Sequence, residues 1–168
     1  RFTLAVSSAL NTGPAGVGTT DGASSLKIWF RTDSGITTSG ANVDGWDNSA
    51  GNAALDISET GTQRPTLVAN AVNGFSEVSF NGSNRLRTGL TLTTWNFVTD
   101  QASSFVVVRA DNTVQQSSVY LTDPLEVNRF SNHIPWAGTV YYDIGNCCGN
   151  DARLDVGGLT GVNGYFVW

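Results

Sequence analysis

The sequence predicts an all-β protein, and three observations carry that expectation. Strong helix formers are few, whereas Ser, Thr, Val, Asn and Gly dominate the 168 residues, with 19 Gly and no Met. Apolar and polar side chains alternate over short windows: Leu26, Ile28 and Phe30 point one way and Lys27, Trp29 and Arg31 the other. Turn signals recur between such windows at the close spacing of a sandwich or barrel, without a helical period sustained beyond a few residues. The length suits one domain with a core of its own.

In chain order, residues 2–6 read as a short strand. Residues 7–25 hold Pro14, small residues and Asp21-Gly22, and read as a joint between modules or an extended arm. Residues 26–31 form a half-buried strand, 33–41 turns, and 42–46 a second strand carrying Val43 and Trp46. Residues 47–63 are polar and irregular, with 53–57 able to pair as an edge strand. Pro65 stands where a strand start or edge tolerates it, ahead of Leu67-Val68. Asn73-Gly74 signals a tight turn. Val78 and Phe80 share a face, Asn81-Gly82 turns, and Leu86 points inward between Arg85 and Arg87. Residues 75–88 therefore read as the clearest hairpin.

Residues 91–95 read as a bend or short strand. Residues 104–109 contain Phe105-Val106-Val107-Val108 and read as a central strand buried on both faces. After a turn at Asp111-Asn112, strands are expected at 118–122 and 127–132, separated by Asp123-Pro124. Ile134-Pro135-Trp136 breaks the pattern, with His133 in a loop, and 139–144 resumes it. A loop at 145–151 holds the cysteines, 153–156 alternates again, and Asn163-Gly164 leads into 165–168. The expected core centres on Ile28, Phe30, Phe80 and Val107.

Composition narrows the function. The formal net charge is −5 and the nine cations are scattered, with Lys27 the one lysine. Nucleic acid needs a positive patch, so it is not an expected partner. No stretch approaches the ~20 apolar residues of a membrane span. Low charge and a polar surface suit an extracellular setting.

Four segments together resemble a known family: SLKIWFRTDSGITTSG, VDGWDNSAGN, RPTLVANAVNGFSEVSFNGSNRLRT and YYDIGNCCGNDARLDV. They are similar to the laminin-G-like, concanavalin-like lectin modules of large bacterial surface proteins, over a span from about Asp21 to the end. The resemblance implies an antiparallel β-sandwich of the jelly-roll type at 21–168, incomplete at its C-terminal end. It assigns 1–20 to an N-terminal strand and inter-module linker or arm, and the whole to a longer polypeptide. It also implies adhesion at the bacterial cell surface through carbohydrate or protein binding, or a structural role in a fibre. A filament subunit completed by strand addition from a neighbouring copy is an alternative.

A jelly-roll polysaccharide hydrolase is the enzymatic alternative. Glucanases of this fold place two Glu around an Asp on one strand. Here Asp56 and Glu59 are present, but Ala54 stands at the nucleophile position, so no catalytic residue is assigned. His133 is the only histidine and no Gly-x-Ser-x-Gly elbow occurs. For sugar stacking the candidates are Trp136, Tyr141, Tyr142 and Trp29; core packing is the competing use of such rings. Cys147 and Cys148 form either a vicinal disulfide or two thiols. No cofactor is required; calcium, if bound, would find oxygens on Asp44, Asp47, Asn48 and Asn52, which are equally the residues that turns prefer. Lys27 is either solvated or an isopeptide donor, and Asn81-Gly82-Ser83 is a glycosylation sequon where the host glycosylates.

Overall fold

The computed structural model describes residues 12–90, 103–111, 119–122, 128–146, 153–157 and 166–167. The chain divides into two compact units, Arg1–Gly89 and Leu90–Trp168. Both are antiparallel β-structure, and the helical content of the described residues is three single turns of 3-10 helix. The expected strands at 2–6 and 91–95 lie outside the described residues, as do Cys147 and Cys148.

In the first unit the strands are β1 (Ile36–Ser39), β2 (Asn42–Trp46), β3 (Ile57–Ser58), β4 (Thr66–Val72) and β5 (Phe75–Ser79). The order is β1-β2-β4-β5, with β3 pairing β2. The β4–β5 hairpin turns at Asn73-Gly74, with φ of 50° and 84°. Two successive positive φ values match the right-handed twist of the flanking strands, and Asn followed by Gly adopts them at least cost. The strand expected at 42–46 is β2. Residues 33–41, expected as turns, include β1, because Thr37, Thr38 and Ser39 pair with β2 even though they face solvent.

Residues 26–31 join no strand ladder. Their backbone is held by a side chain instead. Asn48 Oδ1 accepts the Trp29 N–H at 2.9 Å and the Ala50 N–H at 3.2 Å. Asn48 Nδ2 donates to the Lys27 carbonyl at 3.0 Å and the Asn52 carbonyl at 3.3 Å. The Asn48 N–H donates to Asp56 Oδ1 at 2.7 Å, and the Ser49 N–H to the Trp29 carbonyl at 2.9 Å. The carboxamide thus does what a neighbouring strand would do, and it is buried. Trp46 completes the attachment: its Nε1–H donates to the Arg31 carbonyl at 2.9 Å and its ring lies 5.4 Å from that of Phe30.

Residues 20–22 also lie against this turn. The Gly22 N–H donates to the Ala50 carbonyl at 2.9 Å. Gly51 has φ of 90°, and a Cβ there would stand 2.2 Å from the Thr20 carbonyl oxygen, so only glycine fits. Val43, Ala50, Leu55 and Pro65 are buried in this unit, with Ile28 and Phe30 half-buried. Phe80 is 50% exposed and is not a core residue. The hairpin expected over 75–88 does not form. Asn81 closes an Asx turn onto the Ser83 N–H, and residues 84–88 leave β5 to pair Arg87 with Ser58. The Asn81-Gly82 turn does not reverse the strand; it redirects the chain towards β3.

The second unit contains β6 (Val107–Val108), β7 (Val119–Thr122), β8 (Asn128–Trp136), β9 (Thr139–Asn146), β10 (Arg153–Val156) and β11 (Phe166–Val167). Four strands form one sheet in the order β10-β9-β8-β7, and β6 pairs β11. The apolar run at 104–109 is not a central strand buried on both faces: Val107 is 67% exposed, and Phe105 is exposed beside it. Its residues alternate between exposed and half-buried, so one face only is covered. Ile134-Pro135-Trp136 does not break the strand, and His133 is not in a loop; all four lie in β8. β8 and β9 turn at Ala137-Gly138, with φ of 50° and 81°. That is the same twist-matched two-residue turn as Asn73-Gly74, without its residue signature.

Replacing Asn48 by Ala leaves two N–H groups and two carbonyls short of partners, at about 1 kcal/mol or more each. Asn48→Ala is expected to destabilise the first unit by roughly 3 kcal/mol or more, read by urea denaturation. Asn48→Asp, which keeps the shape but turns both donors into acceptors, is expected to cost at least as much.

Candidate binding surface

Strand register collects a polar and aromatic group on one face of the second unit's sheet. Ser131 pairs with Asp143 and Asp143 with Arg153; His133 pairs with Tyr141 and Tyr141 with Asp155. Directly opposed residues share a face, so these six line one side of β8, β9 and β10. Trp136 joins them through a bulge. His133 to Trp136 is three residues on β8, whereas the partners Tyr141 to Thr139 span two on β9. The extra residue reverses the alternation and brings the indole to the His133 side. Pro135, which has no N–H to give a ladder, occupies that irregularity.

Asp143 is the centre of the group and is fully buried. Arg153 grips it in two places, Nε to Oδ1 at 2.5 Å and Nη2 to Oδ2 at 2.9 Å. The Ser131 hydroxyl lies 3.5 Å from Oδ2 and His133 Nε2 lies 3.8 Å from it. The Asp143 carboxylate holds the Arg153 guanidinium above its ordinary pKa. The same guanidinium sits 4.4 Å from the centre of the Tyr141 ring. His133 meets Trp136 edge-on at 5.0 Å and Tyr141 at 6.5 Å. Trp136, His133, Tyr141, Arg153 and Asp143 therefore form one continuous row.

Ser, His and Asp are the residue types of a hydrolytic triad, but the order in space differs. A triad places the imidazole between hydroxyl and carboxylate. Here the carboxylate lies between the other two and is bound by an arginine. What this arrangement supplies is a rigid, charge-balanced base beneath two half-buried rings.

The four aromatic candidates separate. Trp136 and Tyr141 are brought together through His133. Tyr142 follows Tyr141 and so points to the opposite face of β9, where burial raises its phenol pKa. Trp29 belongs to the first unit, with the Arg31 guanidinium 4.9 Å from its ring centre. Three of the four residues considered for calcium already have occupants on their side-chain oxygens. Asp44 accepts from the Ser39 hydroxyl and the Arg64 guanidinium. Asn48 Oδ1 takes two backbone N–H groups, and Asn52 Oδ1 takes the Ala54 N–H at 3.2 Å. Asp47 is exposed. A cation there would have to displace these donors, and among the described residues no group of three or more His, Cys, Asp or Glu is placed to hold a metal.

Of the two carboxylates considered for hydrolysis, Asp56 accepts the Asn48 N–H. Glu59 is buried; Oε1 accepts the Thr60 N–H at 3.0 Å and Oε2 the Arg85 Nε–H at 2.6 Å. The Ser131–Asp143–Arg153 cluster was missed in the sequence. Its signal was present as two alternating pairs, Ser131-x-His133 and Tyr141-x-Asp143, equidistant from Ala137-Gly138 apart from the bulge.

No protein-family model matches this chain, and no curated protein or solved structure matches it. Among the described residues no helix is long and apolar enough to cross a membrane.

Removing Arg153 alone strands a buried carboxylate, a change that costs about 3–5 kcal/mol. Arg153→Gln is expected to lower the melting temperature sharply, and adding Asp143→Asn to recover much of the loss. In the first unit, the Thr60 N–H and then Arg85 lower the pKa of Glu59, and the Ser39 hydroxyl and then Arg64 lower that of Asp44. Both groups therefore add stability above their ordinary carboxylate pKa values and lose it as pH falls through the lowered folded values. Thermal melts of the wild type are expected to hold steady from neutrality to about pH 5 and to fall below that, with a shallower fall in Glu59→Gln.

Proposed function

We propose that the chain is a non-catalytic, extracellular binding module of a bacterial surface protein. Its antiparallel strands are read as a concanavalin-like jelly-roll sandwich, and its ligand as carbohydrate. One observation carries this reading: Trp136 and Tyr141 stand beside Arg153 and His133 on one sheet face. A pyranose has an apolar face of C–H groups that stacks on an aromatic ring, and a rim of hydroxyls that needs donors and acceptors. Half-buried rings backed by a fixed ion pair suit such a ligand, because little side-chain freedom is lost on binding. The engagement of Asp56 by a backbone N–H and of Glu59 by Arg85 favours binding over hydrolysis.

A glycan array, run with and without calcium, and a reducing-sugar assay on common polysaccharides test the reading. Binding to at least one neutral glycan without turnover is expected, weakened about tenfold or more by Tyr141→Ala or Trp136→Ala. Unchanged binding in both variants would remove this site. Turnover abolished by Asp56→Ala or Glu59→Ala would replace the reading with the hydrolase.

Completion of a filament by strand addition is the second reading. It is favoured by β10, one of the two outer strands of its sheet among the described residues, which carries exposed Leu154 and Val156. A concentration-dependent rise in mass that Leu154→Lys abolishes is the expected sign of it.

A further inference from the structure

We propose that Arg85 and Arg87 form a second site, specific for the oxyanion of an acidic polysaccharide, a uronate carboxylate or a sulfate ester. The two residues are spaced i, i+2 on an extended segment in which Leu86 between them is half-buried, so both guanidinium groups emerge on the outer side. Their backbones are fixed. The Arg85 N–H donates to the Gln63 carbonyl at 2.9 Å, and Arg87 exchanges two backbone hydrogen bonds with Ser58, at 3.0 and 3.2 Å.

Both side chains converge on one atom. Arg85 Nε lies 2.6 Å and Arg87 Nε 3.4 Å from Glu59 Oε2. Glu59 is buried and its other oxygen accepts from Thr60, so it acts as a post that orients two cations. The contacts use the Nε edge of each guanidinium. The side chains are 45% and 62% exposed, which leaves their Nη donors as the part available to a ligand. Paired forks with fixed spacing are suited to carboxylate or sulfate, which accept in a bidentate manner.

Charge points the same way. Two cations share one carboxylate, a local surplus of positive charge in a chain whose net charge is −5. The neighbouring Arg64 is held by Asp44 and the Gly61 carbonyl. The surroundings favour a sugar over a peptide. Ser58, Thr60, Thr62 and Gln63 are exposed, offering hydroxyl and amide groups rather than an apolar pocket for side chains. None of these residues belongs to the Trp136–Tyr141 row, and the proposal does not rest on it.

The test is native electrophoresis of the whole chain through gels containing polygalacturonate, dextran sulfate, neutral dextran or polyglutamate. Retardation is expected in polygalacturonate or dextran sulfate and not in dextran or polyglutamate. Arg85→Gln/Arg87→Gln should weaken it about tenfold or more. Arg109→Gln, the same charge change as Arg87→Gln but elsewhere, and Tyr141→Ala should leave it unchanged. If the double variant is unfolded by circular dichroism, Arg87→Gln, which keeps the Arg85–Glu59 pair, decides alone. The proposal is overturned by wild-type retardation in a folded variant, by equal retardation in polyglutamate, which would indicate an acidic peptide partner, or by no retardation in either acidic gel.

Discussion

One buried carboxamide organises the first unit. Asn48 satisfies two donors and two acceptors of main chain that no strand reaches, and so attaches residues 26–31 to the turn that follows β2. Backbone polar groups excluded from water need partners, and a segment that lacks a neighbouring strand must find them elsewhere. An amide with both a donor and an acceptor end can bridge two stretches of main chain at once. Because Trp46 then seals Phe30 and the Arg31 carbonyl, and Gly22 closes onto Ala50, three stretches distant in sequence are fixed around one side chain.

The second unit solves a related problem with charge. Asp143 would be a heavy liability in a sheet interior, and it is tolerated because Arg153 meets it with two hydrogen bonds from the adjoining strand. The ion pair in turn fixes the guanidinium against Tyr141, and His133 spans Tyr141 and Trp136. In both units, then, a polar group removed from water sets the position of aromatic rings nearer the surface. The apolar core of the described residues is small, with Val43, Leu55, Ile134 and Val140 among its members, so polar pairing carries much of the specification.

Short-range signals in the sequence translated well. Alternation and turn chemistry located β2, β7, β10 and the Asn73-Gly74 hairpin, because each depends on residues within a few positions of one another. Non-local choices did not translate. Residues 26–31 have the alternation of a strand, yet Asn48 takes the place of a strand partner. Alternation with Val78 points Phe80 inward and the apolar run does the same for Val107, yet both are exposed, because what a strand covers depends on its partners. Pro135, two residues after His133, signals a loop in the sequence; a bulge accommodates that proline within the strand. The ligand-facing residues were half legible: Trp136 and Tyr141 stood out as rings, whereas the Asp143–Arg153 support and the Glu59–Arg85–Arg87 arrangement require knowing which strands adjoin.

The single unpaired residue in β8 makes the aromatic row sensitive to chain length rather than to composition. Gain of one codon between Thr139 and Tyr141 would match the extra residue of β8, restore regular alternation and carry the indole through the sheet to its far side, with every member of the row still encoded. Substitutions erode such a surface one contact at a time, whereas a three-nucleotide insertion dissolves it in one step. Among descendants of this gene, spacing between the tryptophan and Tyr141 is therefore the trait to follow when asking which copies keep the surface.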